Sequence, residues 1–217
     1  MQKILFNEKF GLETAVLNGT KTMTRRQFYI PKKLQYLYMP DDTIRIYDTQ
    51  RAGHVIQWCD SNKNVRMTFY PKYVIGEVVA IAQSYETMYH EIGLETMDMF
   101  TTSMKNSKGW NNKMFVKADL MQHHIRITNV KAERLQDISE EDCLKEGIKK
   151  TIHKDASGEW GRYYWYLGVT KHNCPYGQYK EYDTAKDAFL NLIDEVSGKG
   201  TWNINPYVWV YEFELID

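Results

Sequence analysis

The sequence predicts an α+β fold formed as one domain over residues 1–217. Three observations carry that expectation. Short runs of alternating apolar and polar residues recur along the chain. Helical stretches with recognisable caps are few and stand apart from one another. No repeat, linker or low-complexity segment divides the 217 residues. The long stretches between strands, at about 31–70, 85–120 and 149–182, therefore read as insertions into a single domain.

Taken in order, Ile4-Leu5-Phe6 is a short apolar opening strand. Asn7 can cap a helix whose Phe10, Thr14 and Leu17 fall on one stripe, and Gly19 sits just past its end, where a left-handed residue is wanted. Thr22 to Ile30 reads as a strand leaving that turn. From Pro31 to Pro71 the pattern is strand-rich, with Thr43–Tyr47, His54–Trp58 and Val65–Phe69 as strands and Asp60–Asn64 as a hairpin tip. A turn at Gly76 feeds a buried strand ending at Ile81. Glu77 beside it reads either as a general base or as a surface carboxylate opening the strand. Tyr85 to Lys113 carries several Met and a break at Gly93, and reads as a partly helical excursion.

His123 and His124 precede an alternating strand, Ile125–Val130. Adjacent residues on a strand point to opposite faces, so the two histidines do not form a metal pair, and no third ligand stands at a usable spacing. Leu135 to Ile148 reads as a helix with Ser139 and Asp142 in a capping-box pattern and Gly147 at its end. Glu146 is the odd member, because an acid in the last turn faces the negative pole of the helix dipole. Residues 153–182 interleave Trp160, Tyr163, Tyr164, Trp165, Tyr166, Tyr176 and Tyr179 with Gly, Lys and His. Such aromatics either stack bases, with Tyr164 and Trp165 as the candidate contacts, or pack a long loop onto the domain. His172 and Cys174 alone make a poor metal site. Asp183 or Thr184 opens a last helix with Ala188, Phe189, Leu192, Ile193 and Val196 facing the core. In the closing strand Trp209, Tyr211, Phe213 and Leu215 alternate with Val208, Val210, Glu212 and Glu214, one face inward.

Lys plus Arg equals Asp plus Glu at 28 each, so the formal net charge is zero. Proteins that hold long nucleic-acid tracts usually carry a basic surplus, since phosphate neutralisation drives that binding. A balanced chain favours a small ligand or a short strand. Cys59, Cys143 and Cys174 form neither a disulfide framework nor a CxxC metal site. No apolar run approaches a membrane span, and the N-terminus lacks a signal-peptide pattern, which predicts a reducing, cytoplasmic setting. No cofactor and no metal are expected.

The densest chemistry lies in Gly19-Thr20-Lys21-Thr22-Met23-Thr24-Arg25-Arg26. Lys21 and Thr24 share a face if the segment is a helical turn and need a bend to do so if it is extended. A Lys beside a hydroxyl reads as an activated nucleophile when burial or neighbouring cations lower the Lys pKa. The plainer reading is a basic turn that holds a phosphate or nothing.

The spacing of Gly19, Lys21 and Arg26 resembles the signature of the ASCH domain, a branch of the PUA-like β-barrel superfamily, and especially its phage and prophage members. Three further pieces fall in the same order: the strand after Gly76, the strand ending at Arg134-Leu135 with its Asp137–Gly147 helix, and the terminal Asn205–Phe213 run. Together they cover a little under half of the chain, with the three insertions outside. The resemblance implies a mixed, largely antiparallel barrel with flanking helices. Compact members are N(4)-acetylcytidine amidohydrolases. Their similarity to this chain implies Thr24 as nucleophile, Lys21 as the base that takes its proton, and Glu146 as proton carrier or orienting group. Arg25 and Arg26 would line the cleft as substrate contacts, with Arg26, the signature Arg, holding either the substrate or the loop. Two other readings stay open: an RNA-binding or modified-base-reading module without catalysis, and a phage-encoded interaction protein. The partner in the first two is a modified nucleoside or a short nucleic acid.

Overall fold

The structure, a computed structural model, describes residues 1–49, 53–92, 102–155, 157–167 and 180–217. Gly93, His172, Cys174, Tyr176 and Tyr179, each given a reading above, lie outside the described residues. The strands are β1 (Gln2–Ile4), β2 (Met23–Gln27), β3 (Thr43–Thr49), β4 (Gly53–Cys59), β5 (Val65–Phe69), β6 (Val78–Ile81), β7 (His124–Arg134), β8 (Lys149–Lys154), β9 (Trp160–Trp165) and β10 (Tyr207–Leu215). The helices are α1 (Leu12–Leu17), α2 (Lys32–Gln35), α3 (Tyr85–Ile92), α4 (Thr102–Lys105), α5 (Glu140–Lys145), α6 (Ala185–Ser197) and α7 (Thr201–Ile204). Among the described residues, no helix is long and apolar enough to cross a membrane.

The strands make a mixed α+β fold of mostly antiparallel sheets. A five-stranded sheet runs β1-β6-β7-β10-β2, a three-stranded sheet β3-β4-β5 and a two-stranded sheet β8-β9. Among the described residues only β1 and β6 pair in parallel. Among the described residues the ladders stay separate rather than closing into one barrel, because β1 and β2 end the large sheet at opposite edges. The small sheet still meets the large one: His54 Nδ1 accepts a 2.9 Å bond from the Ala132 N–H on β7.

The centre is the long antiparallel pair β7 and β10, with a bulge between Glu212 and Phe213. Val208, Trp209, Val210 and Tyr211 are all buried. The one-sided alternation expected of this strand therefore holds only over Tyr211–Glu214, where buried Tyr211 and Phe213 alternate with the more exposed Glu212 and Glu214, and it fails at Leu215, which is exposed. A strand flanked by partners in the ladder and covered on both faces buries consecutive residues. The β-branched and aromatic content of the segment fits that position.

The first helix also departs from its expected stripe. Asn7 does cap, accepting from Lys9 N–H, but only a 3-10 turn over Glu8–Phe10. Gly11 then adopts a left-handed φ of 62° and restarts the chain as α1. A Cβ there would lie 2.4 Å from Leu167 Cδ1. The restart rotates the buried face to Leu12, Ala15 and Val16 and leaves Thr14 exposed. Similarly, Leu135–Ile148 is not one helix: Leu135–Asp137 forms a 3-10 turn, and α5 starts after Ser139, whose Oγ accepts from Asp142 N–H at 3.0 Å.

The insertions have distinct roles. Residues from the first supply α2 and the β3-β4-β5 sheet, with Asp60 Oδ1 accepting from Asn64 N–H at the expected hairpin tip. The second packs a small cluster of its own, Met88, Val116 and Met121 against Ala80 and Ala82. The third makes the β8-β9 hairpin. Its Tyr166 is buried, with ring centroids 6.3 Å from Phe10 and 6.1 Å from Tyr182. Glu77 accepts from Gln2 and from the Val74 N–H, which makes it a turn carboxylate.

Aromatic truncation should separate packed from exposed members of this hairpin. Tyr166→Ala should cost about 3 kcal/mol by the measure of large core truncations. Trp160→Ala, at 72% exposure, should stay within about 0.5 kcal/mol. Urea denaturation of both variants beside the parent chain provides the comparison.

Candidate functional site

The Gly19–Thr22 turn joins two helix ends. Its backbone and side chains take up carbonyls that a helix C-terminus leaves unpaired. Lys21 N–H and Thr20 Oγ1 both bond the Ala15 carbonyl of α1, at 2.8 and 3.2 Å. Thr22 N–H bonds the Lys145 carbonyl of α5 at 3.0 Å. Lys21 Nζ, 2% exposed, then reaches the Glu146 carbonyl at 2.7 Å, the Glu146 carboxylate at 2.6 Å and the Met23 carbonyl at 2.7 Å. An ammonium has three donors, and all three are used. Glu146, which looked misplaced at the end of its helix, thus sits where a buried cation closes the helix. Gly147 follows with φ 102°, and a Cβ on it would meet the Lys21 stem at 3.6 Å.

Alternation along β2 places Thr24 and Arg26 on one face and Met23 and Arg25 on the other. Arg25 is entirely committed. Its Nε and Nη2 bond Glu133 at 3.0 and 2.6 Å, Nη2 bonds Asp142 at 2.9 Å, and Nη1 bonds Glu146 at 3.1 Å and the Met23 sulfur at 3.1 Å. With five N–H donors on five bonds, Arg25 has no donor left over for the substrate contact expected of it. Burial alone opposes its charge, but the carboxylates of Glu146 and Glu133 outweigh that and hold its pKa above the ordinary value. Asp142 is likewise kept low by Arg25 and Lys131 in spite of desolvation. For Lys21, burial is the larger influence and lowers the pKa against the pull of Glu146.

Arg26 is different. Its Nη2 donates to the Leu5 carbonyl and its guanidinium lies 5.7 Å from the Phe6 ring, yet no carboxylate among the described residues is within 4.0 Å of it. Thr24 is 5% exposed, and its hydroxyl has no hydrogen-bond partner among the described residues. Lys21, Thr24, Arg25, Arg26 and Glu146 all line one cavity of about 810 Å³, within the size range of small-ligand sites. Much of the rest of its wall comes from Tyr29 beyond the end of β2, residues 5–9, the apolar face of α6 (Phe189, Leu192, Ile193, Val196) and the segment 111–114. That segment is fastened by two lysines. Lys3 Nζ bonds the carbonyls of Lys113, Met114 and Val116, and Lys113 Nζ bonds Glu8, Glu13 and the Phe6 carbonyl.

No family model, curated protein or solved structure matches this chain.

The structure thus brings Lys21, Thr24, Glu146, Arg25 and Arg26 together, and it leaves Tyr164 and Trp165 away from the cavity wall. Tyr164 packs against the core and pairs with Tyr182 through both backbone bonds, while Trp165 lies under Lys149 Nζ at 5.0 Å. Both stand on the β8-β9 ladder, Tyr164 opposite Lys150 and Trp165 opposite Lys149. His124 bonds the Asp217 carboxylate at 2.8 Å, and His123 faces Glu91 at 3.5 Å. Glu133 and the Glu13–Lys113 pair carry no signal in the sequence, and Asp142 on its own signals only a helix cap. Asp142 and Glu146 stand four apart on one helix face, and that pair of acids was the available signal for a buried cation.

Two measurements follow. Removing one partner of a buried ion pair strands the others, so Arg25→Ala should destabilise by about 3–5 kcal/mol, read by chemical denaturation. Burial also pushes the Glu13 carboxyl from 4.5 up to about 7, against its bond to Lys113. A carboxyl whose folded pKa exceeds its unfolded value binds a proton on folding between the two. Its stabilising effect is complete below pH 4.5 and is lost as pH rises toward 7. Tm should fall across that window, and Glu13→Gln should flatten this part of the profile.

Proposed function

We propose that this chain is an amidohydrolase acting on an acylated nucleoside or base of the N(4)-acetylcytidine kind, built on the ASCH branch of the PUA-like barrel. One observation carries the reading: an unpartnered Thr24 hydroxyl opens into the same cavity as the 2.6 Å Lys21–Glu146 pair. Support for the barrel comes from the central five-stranded sheet and the His54 bond that brings β4 against β7.

A Thr hydroxyl needs an adjacent base to attack an amide carbonyl. Lys21 Nζ is bonded to the Met23 carbonyl, one peptide link from Thr24, and makes no hydrogen bond to the Thr24 hydroxyl. Catalytic bonds often close only when substrate is present. In the reaction, Lys21 passes a proton to Glu146 within their pair, which burial favours by disfavouring both charges. The neutral amine takes the Thr24 proton as Oγ1 bonds the acyl carbon. Arg26, the cation beside Thr24 without a carboxylate, stabilises the negative charge that develops on the acyl oxygen. The C–N bond then breaks, the base nitrogen receives the proton held by Glu146 and Lys21, and water releases the acid from Thr24.

A second reading, binding of a modified base or nucleic acid without catalysis, is favoured by the saturation of Lys21. With three donors in use, the residue already has a structural role.

Release of acetate from N(4)-acetylcytidine decides between them. Thr24→Ala should abolish turnover while leaving substrate binding and stability near those of the parent, and Thr24→Ser should retain part of the activity. Glu146→Gln should lower kcat by about 100- to 10,000-fold. Full activity in Thr24→Ala would sink the mechanism. An inactive parent that still binds the nucleoside transfers the assignment to the second reading.

A further inference from the structure

A second cavity, of about 660 Å³, lies beyond the end of β2 and shares Tyr29 with the first. Tyr29 is 66% exposed, and among the described residues it has neither a ring partner nor a side-chain hydrogen bond. On the wall of the second cavity, the Arg134 guanidinium lies 3.8 Å from the centroid of the Tyr207 ring. Arg134 spends one bond on the Asn205 carbonyl and has no carboxylate within 4.0 Å among the described residues. The acid in this wall, Asp42, is already compensated: its Oδ2 accepts from Trp58 Nε1 at 2.8 Å and Met39 N–H at 2.9 Å, and Arg66 approaches Oδ1 at 3.6 Å. Among the described residues the groove therefore offers an aromatic floor with one planar cation that has no acid partner.

Aromatic faces and stacked guanidinium planes are what unpaired bases rest on, and a free Arg beside them suits a phosphodiester. We infer that the two cavities form one track for a short single-stranded polynucleotide. The acylated base enters the first cavity, the chain crosses Tyr29, and a neighbouring nucleotide lies on Tyr207 and Arg134. This rests on the proposed reaction for the identity of the base in the first cavity. Among the described residues the second cavity has a single cation in its wall, which limits the phosphate contacts there, so the track suits a few nucleotides and not a long duplex.

The test uses the full chain and three probes: free N(4)-acetylcytidine, a trinucleotide with that residue in the middle, and a labelled unmodified single-stranded oligonucleotide in ribo and deoxyribo forms. The trinucleotide should be hydrolysed with a kcat/KM about tenfold or more above that of the free nucleoside. Arg134→Ala should reduce that advantage by about fivefold or more, the loss expected when one base loses its stacking partner, and leave hydrolysis of the free nucleoside unchanged. Anisotropy should show the unmodified strand bound with a log–log salt slope of about −1 to −3, and Arg134→Glu should weaken it by at least as much. The two sugar forms report which backbone the groove accepts. Equal kcat/KM for nucleoside and trinucleotide, or strand binding unchanged in Arg134→Glu, overturns the track. Failure to hydrolyse the free nucleoside counts against the proposed reaction alone, because the anisotropy measurement still tests the groove.

Discussion

Three carboxylates, Glu133, Asp142 and Glu146, are held away from water with side chains no more than 15% exposed, and the region around the cavity depends on how they are neutralised. A buried carboxylate without a cation would shift its pKa and lose its charge. Arg25 reaches all three at once because a guanidinium is a flat fork of five donors, and Lys21 takes the second oxygen of Glu146. The cations belong to β2 and the turn before it, and the acids belong to β7 and α5. Satisfying the charges therefore fixes where the end of α5 sits against the edge of the sheet. Magnitudes suggest that the network contributes placement more than stability. A unit-charge pair at 4 Å gains about 4 kcal/mol at an effective dielectric of 20, and desolvation costs several kcal/mol for each ion.

That placement explains the contrast between neighbouring arginines. Arg25 faces the acids and is consumed by them. Arg26, one residue on, is turned by strand alternation to the face that carries Thr24, where residues 5–6 give it a carbonyl and a ring but no acid. Among the described residues Arg26 has no carboxylate partner and the Thr24 hydroxyl no hydrogen bond, which leaves both available for the proposed reaction. The same turn also closes α1 and α5 by taking the Ala15, Lys145 and Glu146 carbonyls, so the residues proposed for chemistry are held by contacts the fold needs in any case. Preorganisation of this kind would let a short Lys-x-x-Thr spacing serve the proposed reaction without a dedicated scaffold.

How much of this was legible in the sequence depends on the range of the interaction. Local chemistry was readable: the Asp60–Asn64 tip, the Ser139 cap and the Thr184 cap are decided by side chains within a few residues of the bonds they make. The α1 stripe was misplaced because Gly11 interrupts the helix, and the reason, Leu167 pressed against the glycine, lies far along the chain. The double burial of β10 was missed because alternation reports on one face, and β10 became central only when β7 and β2 paired on its two sides. Within the site, Lys21, Thr24 and Glu146 were flagged by residue type and by a helix-end acid at odds with the dipole. Glu133 was not flagged, since a Glu in a strand says nothing of an Arg 108 residues away.

The Lys21–Glu146 pair remains the place where structure and proposed chemistry compete for the same proton. As a helix closure it works best with Lys21 charged, because three acceptors require three donors. As a base it must be neutral, and burial pushes Lys21 that way while Glu146 resists. Moving one proton along their 2.6 Å bond converts the first condition into the second without changing the net charge of the site. The internal transfer turns an ion pair into a neutral pair, and a dry cavity favours that change where water would oppose it. A substrate that fills the cavity and excludes water would itself shift Lys21 toward the neutral form. Binding and activation of the base would then be one event, coupled through the desolvation of a residue that already holds α5 in place.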